Sequence, residues 1–232
     1  MIILPAIDLK DGKCVRLRQG RAEDVTVYGD DPAAQAKDWA DQGGQELHVV
    51  DLDGAFAGTP KHAEVIKRII QAFGGPVEVG GGLRTPEALD AVIQAGVTRA
   101  IIGSAALEDP EFLANAVELY GDKIAVGIDA RNGFVQTKGW VETTKTLATE
   151  LATAVAKVGV KTIIYTDTAT DGMLAVRTSP RWRRSATPRR RARSRRPAAS
   201  ARRSTSRTSR RSSARTCAPQ SSARRSTTGA PR

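Results

Sequence analysis

A six-residue pattern recurs 121 residues apart. Ile7-Asp8-Leu9-Lys10-Asp11-Gly12 and Ile128-Asp129-Ala130-Arg131-Asn132-Gly133 both read Ile, Asp, any residue, Lys or Arg, Asp or Asn, Gly. A second echo, at an offset of 116, links His48-Val49-Val50-Asp51 to Ile164-Tyr165-Thr166-Asp167. Repetition at half-domain length means two like halves, each made of several supersecondary units. That requirement narrows the folds open to this chain more than its length or composition does.

Short β-branched runs alternate with amphipathic stretches. The runs are Ile2–Asp8, Glu46–Asp51, Val77–Gly80, Arg99–Gly103, Lys123–Asp129 and Lys161–Asp167. Between them lie helical patterns over Pro32–Gln42, Pro60–Phe73, Pro86–Ala95, Pro110–Tyr120 and Leu147–Val158, four of them opened by Pro, which fits the first turn of a helix. Such alternation predicts parallel βα units, either in a doubly wound sheet or in a barrel. The two-part repeat favours the barrel: two four-stranded halves make a (β/α)₈ TIM barrel, of which about six strands are present.

Composition shows where the pattern stops. From Val176 to Arg232 the 57 residues hold 19 Arg and no Lys, Asp or Glu, and nearly all the others are Ser, Ala, Thr or Pro. Taking these from the chain's 36 basic residues leaves 17 against 25 acidic ones, so residues 1–175 carry a net −8 while the whole chain carries +11. The reading is therefore a barrel domain over 1–175 and a basic tail over 176–232 that is expected to be disordered, having too little apolar surface to offset the entropy of ordering. Two cysteines, Cys14 and Cys217, are too few for a disulfide framework or a zinc site. With no apolar run near the ~20 residues of a membrane span and no leader-like N-terminus, the expected setting is the cytoplasm.

In a (β/α)₈ barrel the groups just past the C-terminal strand ends converge on one mouth. Asp8 and Asp129 end the first and fifth strands, on opposite sides of it. Two facing carboxylates suit paired acid and base work, although an Asp after a strand can also simply cap its loop. Gly80-Gly81-Gly82, Arg84 and Thr85-Pro86 offer free backbone N–H groups, a guanidinium and a helix start to a phosphate, and Gly103-Ser104 offers the same next door. The repeat then calls for a matching phosphate site after strands seven and eight, so the substrate would carry a phosphate at each end.

The segments ILPAIDLKDGKCVRL, HVVDLDGAFAG, VEVGGGLRT, IIGSAALEDP, AVGIDARNG, VQTKGWVETT and YTDTATDGML resemble, in order and spacing, the phosphoribosylformimino-5-aminoimidazole carboxamide ribotide isomerase family of histidine biosynthesis. The resemblance covers residues 1–175. It implies an Amadori rearrangement of a doubly phosphorylated substrate, without metal or cofactor, in a protein that is monomeric when intact. It implies Asp8 as general base and Asp129 as general acid, with Asp171 a rival for the acid role. Gly81, Gly82, Arg84, Gly103, Ser104, Trp140 and Thr166 are the implied substrate and phosphate contacts, Trp140 stacking on the aminoimidazole unless it only packs its loop. A dual-substrate isomerase that also serves tryptophan synthesis is a close variant of the same resemblance.

The tail reads as family sequence in another frame. Val176-Arg177-Thr178-Ser179-Pro180-Arg181-Trp182 can be spelled so that a shift of one base gives Gly-Pro-Asp-Leu-Ala-Ala-Leu, the continuation the family has. The same shift permits a Gly-Gly pair at positions 198–199 and Gly-Thr-Ala at 223–225. These stand 117 and 120 residues after Gly81-Gly82 and Gly103-Ser104-Ala105, in register with the repeat. The competing reading is a basic nucleic-acid-binding tail. It has no Lys, a single aromatic (Trp182) for stacking, and a start in mid-domain, so specific nucleic-acid binding is not expected.

Overall fold

The computed structural model describes residues 3–17 and 24–171. Six parallel strands form the framework: β1 (Ala6–Lys10), β4 (Leu47–Asp51), β5 (Val77–Gly80), β6 (Arg99–Ile102), β7 (Ile124–Arg131) and β10 (Thr162–Asp167). They pair in sequence order, β1 with β4, β4 with β5, and so on to β7 with β10. Helices α1 (Pro32–Asp41), α3 (Ala63–Phe73), α4 (Pro86–Gln94), α6 (Pro110–Tyr120) and α7 (Ala148–Val158) stand between them, with short α2 (Leu52–Ala57) and α5 (Ala105–Glu108) after β4 and β6. This is the α/β order of a partial (β/α)₈ barrel. The expected disorder of 176–232 and the second phosphate site both fall outside the described residues.

Three of the helices start on the same local device. Asp31, Thr85 and Asp109 each accept hydrogen bonds from first-turn amides of α1, α4 and α6, and each is followed by Pro, whose missing N–H is not needed at that position. Pro60 does not open a helix. The amides of Lys61 and His62 donate to the buried Asp51 carboxylate at 2.7 and 3.1 Å, which holds them out of helical geometry until Ala63.

Four strands absent from the sequence reading extend the sheet as two antiparallel additions. β2 (Lys13–Leu17) folds back on β1 and pairs with β3 (Val25–Gly29); β8 (Phe134–Thr137) folds back on β7 and pairs with β9 (Glu142–Leu147). The turns are the Asp-Gly and Asn-Gly ends of the repeated motif. Asp11 and Gly12 have φ of 51° and 74°, Asn132 and Gly133 of 54° and 88°, the left-handed pair that a two-residue hairpin requires. The half-barrel repeat thus includes its hairpins.

The core lies between the strands and the helices. Leu47, Val49, Val77, Val79, Ala100 and Ile102 pack outward against Ile66, Ile69, Leu89 and Leu113. The alternate positions face the barrel interior, where the polar groups collect. No helix among the described residues is long and apolar enough to cross a membrane.

Candidate active site

One cavity of about 370 Å³ opens at the C-terminal ends of the strands. Asp8, Gly81, Gly82, Arg84, Gly103, Ser104, Asp129, Trp140, Thr166 and Asp171 all line it. Residues spread over more than 160 positions are brought together because each stands at the end of a parallel strand or in the loop just past it.

The register sets the inner wall. Asp8 lies opposite Val50, Val50 opposite Gly80, and Gly80 opposite Ile101, while Asp129 lies opposite Thr166 on the other side. Burial raises the pKa of Asp129 above the ordinary carboxylate range. Hydrogen bonds from the Trp140 indole and the Thr166 hydroxyl pull it down, the Asp171 charge pushes it up, and burial prevails. Asp8 is raised by burial as well, with His48 and Arg16 opposing and Asp171 reinforcing. Asp171 is drawn toward Arg16, whose Nη2 lies 3.8 Å from its Oδ1. Three carboxylates therefore share one pocket with a guanidinium and an imidazole, an arrangement in which a proton can be held on one carboxyl while another stays ionised.

The glycine loop is fixed by packing as well as by any ligand. Gly81 (φ 115°) leaves a would-be Cβ 2.1 Å from the Asp51 carbonyl oxygen, and Gly82 (φ 73°) leaves one 2.6 Å from the Thr59 carbonyl carbon. Only glycine fits at either position. At Gly103 nothing lies within 4 Å of a would-be Cβ. Ser104 Oγ accepts the Lys138 amide at 3.0 Å and keeps its own hydroxyl proton to donate. Arg84 reaches across the loop to the Ala55 carbonyl.

Behind the loop, Asp51, Asp53 and His62 each bring a possible ligand atom within 4.8 Å of the others. Those atoms are already occupied. Asp51 accepts the amides of Gly54, Lys61 and His62, and Asp53 Oδ2 accepts the Asp11 amide at 2.7 Å and pairs with His62 Nε2 at 2.6 Å. The cluster braces the β1–β2 turn against the β4 loop.

Arg16, His48 and Glu78 were not among the expected site residues. Arg16 and His48 line the cavity, and Glu78 holds His48 from behind. They stand within the strands, ahead of the strand ends where a barrel gathers its site groups, and His48 and Glu78 meet only through the sheet register.

Residues 2–176 match the family described as histidine biosynthesis protein. The chain belongs to this family. Within it the chain is 51% identical, over 175 residues, to an imidazole-4-carboxamide isomerase of Roseiflexus castenholzii, covering 75% of this chain and 74% of that protein. It is 51% identical to the isomerase of the same description from Syntrophotalea carbinolica, and 53% to that of Psychrobacter cryohalolentis, covering 75% of this chain and 72% and 71% of those proteins. The family match ends at residue 176, where the composition of the chain changes. About a quarter of each relative, and a quarter of this chain, falls outside the matched stretch.

Proposed function

We propose that the cavity carries out the Amadori isomerisation of an N-linked phosphoribosyl group in histidine biosynthesis, opening a cyclic aminoaldose phosphate and converting it into an open-chain aminoketose phosphate. The observation that carries this reading is the pair Asp8 and Asp129. They stand at equivalent ends of the two repeats, both half-buried in one pocket beside a glycine-rich loop with an adjacent guanidinium.

The raised pKa of Asp129 suits it to hold a proton and pass it to the ring oxygen as the furanose opens to a protonated Schiff base. Asp8, made more basic by burial against the opposing charges of His48 and Arg16, takes the C2′ proton to give an enolamine and returns it to C1′. The indole of Trp140, hydrogen-bonded to Asp129, offers a flat surface to the aminoimidazole. Gly81, Gly82, Arg84, Gly103 and Ser104 hold one phosphate. Asp171 competes with Asp129 for the acid role, and its carboxylate keeps both neighbours more basic. The unpaired, buried Cys14 agrees with a reducing cytoplasmic setting.

We further propose that residues 176–232 are the family's own C-terminal segment read one base out of frame, and that the second phosphate site is lost with it. This chain then turns over poorly, and restoring one base near codon 175 supplies Gly-Gly and Gly-Thr-Ala in register with the first site. Steady-state isomerase assays on the chain and on its frame-restored version test both statements. Restoration is expected to raise kcat/KM by at least about a hundredfold, the scale of a lost phosphate clamp. Equal turnover in the two proteins overturns the frame reading, and no turnover in either overturns the isomerase reading.

A further inference from the structure

Beneath the cavity floor a polar row crosses three neighbouring strands. His48 of β4, Glu78 of β5 and Arg99 of β6 are register partners in the parallel sheet, His48 opposite Glu78 and Glu78 opposite Arg99, all facing the barrel interior. Glu78 is 3% exposed. Its Oε1 lies 2.7 Å from His48 Nδ1, and its Oε2 accepts from Arg99 Nε at 2.9 Å. Arg99 also pairs with Glu46. A carboxylate bonded to a guanidinium can only accept, so the bond to His48 requires the proton on Nδ1. His48 lines the cavity that contains Asp8 and Asp129, and in its protonated form it favours the ionised state of both carboxylates.

We propose that Glu78 is a positioning residue of this site: it holds the Nδ1 edge of His48 and so presents Nε2 to the cavity, beside Asp8 and Asp129, as a third group able to accept or give a proton. The proposal rests on the isomerase reading above and supplies what that reaction still lacks. When the enolamine becomes a ketone, C1′ gains a proton from Asp8 and the C2′ hydroxyl must lose one. An Nε2 lone pair takes that hydroxyl proton and passes it to Asp129, which gave its own to the ring oxygen, and all three groups return to their starting states. The pKa of Glu78 supports the same picture. Burial pushes it up, but the His48 hydrogen bond and charge and the Arg99 contacts outweigh burial and leave it below the usual range.

The chain has two histidines, which makes the test direct. Long-range proton–nitrogen NMR on the full chain at about pH 8.5, above the ordinary imidazole range, reports which ring nitrogen carries the proton in each. His48 is expected to be protonated on Nδ1 with Nε2 bare. His62, which faces the Asp53 carboxylate through Nε2, is expected to be the reverse and serves as internal control. In Glu78→Gln, Arg99 claims the amide oxygen and leaves the NH₂ group facing His48. The His48 proton should therefore move to Nε2 while His62 stays unchanged. A proton on Nε2 of His48 in the unsubstituted chain overturns the proposal, and so does retention on Nδ1 in the variant. If the variant does not fold, as loss of the His62 signature would reveal, the unsubstituted spectrum alone decides. None of these readings requires turnover, so they are separable from failure of the isomerase assignment.

Discussion

Val49 and Tyr165 occupy equivalent positions in the two half-barrel repeats, yet Val49 is fully buried and Tyr165 is 43% exposed. The same holds one turn of the pleat earlier, where Leu47 is fully buried and its counterpart Ile163 is 38% exposed. In the first half these outward-facing side chains join the core with Ile66 and Ile69 of α3. Their counterparts on β10 have no equivalent helix over them among the described residues.

This asymmetry sets a paired prediction. Leu47→Ala should cost about 2–5 kcal/mol, because it empties a closed core site, whereas Ile163→Ala should cost less than about 1 kcal/mol. Urea unfolding of the two variants measures the difference. Equal losses would mean that β10 is covered as fully as β4.

The half-buried carboxylates of the cavity should trade stability for chemistry. Burial, opposed by His48 and Arg16 and reinforced by Asp171, raises the pKa of Asp8, so the folded chain keeps that proton to higher pH than the unfolded chain does. Between the ordinary carboxylate pKa and the raised one the unfolded state binds fewer protons. Stability therefore falls as pH rises through that window, and the whole penalty is present above it. Asp8→Asn should then raise the neutral-pH melting temperature, by roughly 2–4 °C for each kcal/mol recovered, and the gain should shrink toward pH 4. The same substitution should abolish isomerase turnover in the frame-restored protein. A variant that melts lower at pH 7 than the parent would contradict the burial argument.

The bracing cluster behind the glycine loop makes a third case. Asp51 is fully buried and accepts three amides, so Asp51→Ala leaves three N–H groups without their acceptor and should cost at least about 3 kcal/mol in chemical denaturation. Because those amides already fill the coordination that a cation would need, EDTA should leave the melting temperature unchanged. A drop on chelation would show that a metal belongs there.

Most of the framework was legible from local pattern. The six parallel strands are β-branched runs, and Asp31-Pro32, Thr85-Pro86 and Asp109-Pro110 are cap-and-proline pairs that mark helix starts wherever they stand. The hairpins were legible in part: Asp11-Gly12 and Asn132-Gly133 are turn signals, but they sit inside a motif whose aspartates drew attention to chemistry instead. β3 and β9 have mostly exposed side chains, and β9 carries no alternating apolar signal. The cavity's strand-end carboxylates and glycines were readable because a barrel sends all strand ends to one mouth. His48 and Glu78 were not, since the row that joins them exists only once the sheet register is set.

Two glycines of the proposed phosphate site, one after β5 and one after β6, separate folding from binding. Gly81→Ala drives a Cβ to 2.1 Å from the Asp51 carbonyl at a φ of 115°, a clash with backbone that no rotamer relieves. It should cost several kcal/mol and lose the loop altogether. Gly103 has ordinary backbone geometry and nothing within 4 Å of its would-be Cβ, so Gly103→Ala should leave stability within about 0.5 kcal/mol while placing a methyl group in the proposed phosphate site. Calorimetric titration with inorganic phosphate, run beside thermal melts, reads both effects. The expected result is a folded Gly103→Ala protein with phosphate affinity reduced about tenfold or more, the loss of one close backbone contact to an anion. Unchanged affinity in a folded Gly103→Ala protein would remove Gly103 and its neighbour Ser104 from the phosphate site and leave the anion to Gly81, Gly82 and Arg84 alone.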